Sequence, residues 1–127
     1  MRIDRSYLGN QNTYAENNPK CIVVHNTDNF AAGADARAHA RAQHDGNFQN
    51  ISAHYYVDDG DTAYQAAPHS RGCWHVGINY GGKKSSAFRI TVMLCQDNGI
   101  WIGSFHCLPE IFPELMVKII AVSQIRR

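Results

Sequence analysis

Long apolar runs are missing from this chain, and so is charge of one sign. No stretch is long and apolar enough to cross a bilayer, and the opening Met1-Arg2-Ile3-Asp4-Arg5 lacks the apolar segment of a secretory signal. The expectation is a soluble protein made in the cytoplasm without a signal peptide. The formal net charge is only +1, so no strong field points to nucleic acid or to an anionic membrane as partner. The four cysteines, Cys21, Cys73, Cys95 and Cys107, include no C-x-x-C pair, which argues against a zinc knuckle or a thioredoxin-type motif. Gly81-Gly82-Lys83-Lys84-Ser85-Ser86 lacks the spacing and the following helix of a phosphate loop and reads as a connector. There are no internal repeats and no low-complexity segment.

What remains is the composition of an ordinary globular domain. At 127 residues, 44% apolar and 18% charged, the chain forms one domain with a real core. Seven histidines leave it near neutrality at pH 7 and make it more cationic in mild acid. The stretch from Pro19 to Asp28 organises the reading. Cys21-Ile22-Val23-Val24 is an unbroken, largely β-branched run suited to a buried central strand. His25 and the turn formers Asn26, Thr27 and Asp28 follow directly. An imidazole at the end of a core strand can bind a metal through a neutral ring nitrogen, although a lone histidine there is more often structural.

The polar, Asn-rich residues 1–19 predict an irregular N-terminal arm, and the first strand is expected at 20–25. Ala31 to Gln43 predicts a helix, with Asp35 early enough to favour its dipole and with Ala34, Ala38 and Ala42 as a small-residue face for a sheet. His44, Asp45 and Gly46 end it. Ser52 to Val57 predicts a strand, the turn Asp58-Asp59-Gly60-Asp61 stops it, and Thr62 to Ala66 returns as its hairpin partner. Pro68 to Tyr80 reads as a loop carrying His69, Arg71, Trp74 and His75. Phe88 to Leu94 predicts another strand, Asp97-Asn98-Gly99 a turn, and Glu110 to Ile125 a helix in which Pro113 fits only near the first turn. Cys21 and Cys95, both in apolar runs, are expected to be buried free thiols.

Three pieces then combine: Ile22-Val23-Val24-His25-Asn26-Thr27, Ser52-Ala53-His54-Tyr55-Tyr56-Val57-Asp58-Asp59, and Trp74-His75-Val76-Gly77. Their order and spacing resemble the zinc-dependent N-acetylmuramoyl-L-alanine amidases of the type-2 amidase and peptidoglycan-recognition superfamily. The likeness is strongest to endolysins of phages and prophages of Gram-positive bacteria, and it covers about residues 8–84. The resemblance implies an α/β fold, a mixed central β-sheet flanked by helices, with zinc in a groove for a glycan strand and its stem peptide. It implies hydrolysis of the amide between the lactyl group of N-acetylmuramic acid and the first L-alanine by a zinc-activated water. It makes the partner bacterial peptidoglycan, with no nucleic acid and no membrane, and places the action at the cell wall after release from the cell that made the protein. His25 matches the first zinc ligand. Trp74 and His75 match the loop bordering the groove, and Asn26 is a further candidate for substrate contact. For Trp74 a half-buried loop anchor is the plain alternative. His54 matches a family strand position but suits a structural hydrogen bond. His39, His44 and His69 match no role and are expected at the solvated surface.

After about residue 85 the resemblance fails. The family strand that reads like Asn-Ser-Ile-Gly-Ile-Glu-(Ile/Met)-Cys corresponds to Phe88-Arg89-Ile90-Thr91-Val92-Met93-Leu94-Cys95, which holds no carboxylate. The family's second His ligand and its Cys or Asp ligand have no counterpart before Arg127. His106 and Cys107 are adjacent, and neighbours on a strand point to opposite faces. The expectations are therefore an amidase impaired in this chain or, as alternative, a non-catalytic peptidoglycan-binding module. The whole chain is read as a single amidase-like domain. Its tail from Ser85 to Arg127 is read as divergent, truncated and the product of a shifted reading frame, never selected to pack on this sheet.

Overall fold

The computed structural model describes residues 2–15, 17, 21–27, 29, 31–48, 51–58, 60–74, 89–95 and 104–106. Along the chain the elements are β1 (Arg2–Asp4), β2 (Thr13–Tyr14), β3 (Cys21–Asn26), α1 (Ala36–His44), β4 (Tyr55–Val57), β5 (Thr62–Gln65), β6 (Gly72–Cys73), β7 (Arg89–Leu94) and β8 (Ser104–His106). Among the described residues six strands form one mixed sheet in the order β1-β5-β4-β7-β3-β8, and β2 and β6 pair separately. β7 runs parallel to both β3 and β4, β5 returns antiparallel beside β4, and β8 lies antiparallel on β3. The β-branched run thus enters the sheet with a neighbour on each side, as its composition predicts.

β7 forms where Phe88 to Leu94 is expected to be a strand, and it takes a central place in the sheet between β4 and β3. Ile90, Thr91 and Val92 are fully buried, and Cys95 is a buried free thiol. A six-residue run with β-branched residues at 90–92 carries the pattern of a strand covered on both faces, whatever precedes it. The connector at 81–86, the turn at 97–99 and the helix at 110–125 lie outside the described residues, as does the side chain of Cys21.

Helix α1 starts later than its composition suggests. Asp35 is its N-cap: the carboxylate oxygen Oδ1 accepts from the Ala38 N–H at 2.8 Å, which holds residue 35 in an extended conformation. At the other end Asp45 caps the helix and Gly46 turns the chain away at φ +78°. The packed face also differs from expectation. Ala36, Ala40 and Gln43 are buried, whereas Ala38 is exposed. Alanine occurs in both registers, so spacing alone does not select a face. Gln43 selects it: its amide donates to the Ala53 carbonyl at 3.0 Å, accepts from the Ala53 N–H at 2.9 Å, and accepts from the Tyr56 hydroxyl at 2.7 Å. A buried glutamine with these partners satisfied turns the helix so that Ala36 and Ala40 cover Tyr56.

The β4–β5 turn is fastened to the helix. One Asp58 oxygen accepts from Gly60 N–H at 2.8 Å and the other from Ala36 N–H at 3.0 Å, filling a first-turn donor that the helix itself leaves open. The N-terminal arm is more ordered than its polarity suggests: β1 adds to the sheet edge beside β5, and β2 pairs with β6 inside the region expected to be a plain loop. Tyr14 of β2 is buried, and its ring lies so close over Gly72 that any Cβ there would collide with it. Among the described residues no helix is long and apolar enough to cross a membrane.

Candidate functional site

His25 is the penultimate residue of β3. Its register partner on β7 is Met93, and the partner of Met93 on β4 is Tyr56. Since laterally paired residues share a sheet face, these three form one row across three strands. At the β4 end of the row Tyr56 is buried under α1, with the His39 ring stacked on it at 5.8 Å between centroids. Met93 is half-buried and packs against the same core cluster. At the β3 end His25 is half-buried, and burial lowers its pKa from the ordinary histidine value. The imidazole is therefore neutral at pH 7, the form that offers a nitrogen lone pair to a metal or a proton donor. Two residues on, the Thr27 hydroxyl is buried with no hydrogen-bond partner among the described residues.

The other expected site residues divide. Asn26 ends β3 opposite Leu94, and its side chain lies outside the described residues, as does all of His75. Trp74 is half-buried. Its N–H donates to Ser52 Oγ at 2.8 Å, its carbonyl accepts from Ser52 N–H at 2.8 Å, and its ring meets Tyr14 at 4.7 Å. Trp74 is thus held at both its backbone and its ring, the arrangement of a loop anchor. Tyr14, which supports it, carries no signal beyond being, with Tyr7, one of two tyrosines in a polar arm.

His54 is structural, as its strand position suggests: it is fully buried and bonded through both ring nitrogens. Two of the histidines expected at the solvated surface are not simply solvated. His39 Nδ1 lies 2.9 Å from the Asp35 carbonyl besides stacking on Tyr56. His69 meets the Tyr55 hydroxyl at 2.6 Å through Nε2, and burial, helped by the Arg5 charge, lowers its pKa. His44 is exposed as expected and pairs with Asp45 at 3.1 Å, and His69 also keeps an exposed surface beside its bond to Tyr55.

A catalytic zinc needs about three protein ligands and an open position. Among the described residues no three His, Cys, Asp or Glu side chains come together. The register neighbour of His25 is a thioether rather than a carboxylate. The described residues therefore do not fit a complete zinc centre. In the correspondence expected from the resemblance, Met93 is also the position set against the glutamate of the family strand.

A protein-family model for N-acetylmuramoyl-L-alanine amidases (Amidase_2) matches residues 15–103 of this chain. The chain belongs to that amidase family. The match runs past residue 84 and takes in β7. Among curated proteins, the N-acetylmuramoyl-L-alanine amidase XlyA of Bacillus subtilis (strain 168) is 40% identical over 80 residues, which is 62% of this chain and 25% of XlyA. This amidase-family chain thus corresponds to about a quarter of that relative's length. A mutant endolysin from Bacillus subtilis superposes with a TM-score of 0.63 at 35% identity, covering 76% of this chain and 62% of the endolysin. PlyL shares the fold more widely, with a TM-score of 0.64 over 97% of this chain and 75% of PlyL, at 22% identity.

Proposed function

We propose that this chain is directed at bacterial peptidoglycan as an N-acetylmuramoyl-L-alanine amidase, acting at the lactyl–L-alanine amide of the cell wall after release, with its hydrolytic capacity impaired. Family membership supports the substrate class. The pairing of His25 with Met93 is the single observation behind the impairment. Amide hydrolysis needs a group that takes a proton from the attacking water and returns it to the leaving amine. A carboxylate or imidazole can do this, and a thioether cannot. In this reading His25 is the ligand-type side chain that remains for the zinc implied by the resemblance. Trp74 offers an aromatic wall to a sugar face, and Asn26 and His75 offer hydrogen bonds to the muropeptide. The same Met93 favours a second reading, a non-catalytic module that holds peptidoglycan without cutting it.

One experiment separates the two. The purified chain, dialysed after loading with zinc chloride, is mixed with Gram-positive cell walls, and three quantities are followed: protein sedimenting with walls, release of L-alanine amino groups, and zinc per chain. Sedimentation with slow release supports the impaired amidase. Sedimentation with no release supports the binding module. Trp74→Ala should weaken wall binding by about 1–3 kcal/mol, the scale of a large side chain losing its contact. Stoichiometric zinc with rapid release would overturn the impairment, and absence of wall binding would overturn both readings.

A further inference from the structure

His54 is wired in a way that the proposed function does not use. It is fully buried. Its Nδ1 accepts from the backbone N–H of Thr91 in β7 at 3.1 Å, and its Nε2 lies 2.8 Å from the backbone carbonyl of Arg71. An amide N–H can only donate and a carbonyl can only accept, so the two partners leave the ring one state: neutral, with the proton on Nε2. The backbone of His54 makes the same crossing, donating to the Thr91 carbonyl at 3.1 Å while its own carbonyl accepts from Ala66 N–H at 2.8 Å.

The Arg71 end of this bridge leads to Trp74. The Arg71 guanidinium donates to Thr13 Oγ1 at 3.0 Å and to the Thr13 carbonyl at 3.3 Å. Gly72 and Cys73 pair with Tyr14 and Thr13, and the Trp74 backbone is double-bonded to Ser52. We infer that His54 is a positioning residue, a fixed-tautomer bridge that seats the Trp74-bearing segment on strand β7 and releases it when the ring is protonated.

A second ring proton would sit on Nδ1 and face the Thr91 N–H, donor against donor. Thr91 would lose its acceptor, and a buried charge would appear with nothing to balance it. From β6 the ring meets the Cys73 sulfur at 3.6 Å, a thiol whose pKa burial pushes up to about 12 and which stays neutral. From the preceding loop come the His69 ring, 6.4 Å away, and Arg71, whose charged end is turned to Thr13. β7 contributes no titratable group at Ile90, Thr91 or Val92, and on the β4 side Tyr55 turns its hydroxyl to His69. Among the described residues no carboxylate acts on His54, and its pKa is driven down to about 4, chiefly by burial.

The test is nuclear magnetic resonance on the intact, isotope-labelled chain without any wall ligand, so its failure is distinct from failure of the peptidoglycan reading. The expected result is an unprotonated Nδ1 and a protonated Nε2 that persist from pH 7 to pH 5. Below that, the Thr91 amide, the Trp74 amide and the Trp74 indole should shift together with the His54 ring, at a midpoint near pH 4. His54→Gln keeps an acceptor and a donor at similar spacing but cannot titrate, so it should hold the segment and abolish the shared transition. A proton on Nδ1, a His54 titration near pH 6.5, or titration without movement of the Trp74 signals would each overturn the inference. So would a transition that persists in His54→Gln. Should that variant fail to fold, the wild-type titration decides alone.

Discussion

Strand β7 has a histidine on either side of it, and the two do different work. His54 sits just ahead of β4, with no exposed surface and both nitrogens held by main-chain groups of fixed polarity. His25 sits at the end of β3, half-buried, beside Met93. Burial lowers the pKa of both rings, so the direction of the shift does not tell them apart. The difference lies in exposure. A ring whose two nitrogens are committed inside the protein can only organise the fold, whereas one partly open at a strand end can meet a ligand.

The sharpest way to break this comparison is to truncate both rings. His54→Ala leaves the Thr91 N–H and the Arg71 carbonyl buried without partners and opens a cavity as well. About 4 kcal/mol of stability should be lost, combining the usual cost of unpaired groups with that of the void. His25→Ala should cost about 1 kcal/mol or less, because a half-exposed side chain leaves no sealed void. Urea unfolding of the two variants measures both, and equal losses would erase the distinction.

Acid gives the next largest effect. The unfolded chain takes up a proton at His54 near pH 6.5, while the folded chain resists until about pH 4. The stability contributed by the neutral ring is therefore complete above pH 6.5 and lost as pH falls towards 4, where it amounts to about 3 kcal/mol. His25, also lowered, adds a loss of the same sign. Urea midpoints measured from pH 7 to pH 4 should fall steeply in the wild type and much less in His54→Gln. Parallel profiles would remove His54 as the cause.

The smallest effect concerns the strand between the two histidines. The Thr91 hydroxyl is buried with no hydrogen-bond partner among the described residues, although the Thr91 amide serves His54. Thr91→Val keeps the branched shape and removes the stranded hydroxyl, so the protein should gain about 1 kcal/mol in the same unfolding assay. A loss instead would mean that the hydroxyl has work that the packing does not reveal.

Much of the fold is legible in the amino-acid sequence. The run Cys21 to Val24, the turn at Asp58 to Asp61 and the alternation from Phe88 to Leu94 each announce an element through local chemistry. Strands β3 and β7 form on the two runs, and the turn joins β4 to β5. The motifs around His25, His54 and Trp74 resemble the family to which the chain belongs. The arm is less legible, because β1 and β2 are short and polar and gain their strand character only from β5 and β6.

Local sequence determined where strands and turns form, because side-chain branching and turn chemistry act within a few residues. Tertiary structure decided which face of α1 is buried, because two alanine registers were equally small and only Gln43, reaching Ala53 and Tyr56, distinguishes them. It likewise decided that Met93 is the neighbour of His25 and that Thr91 and Arg71 hold His54. Those partners come from distant parts of the chain, and their alignment is a property of the packed sheet rather than of any one stretch.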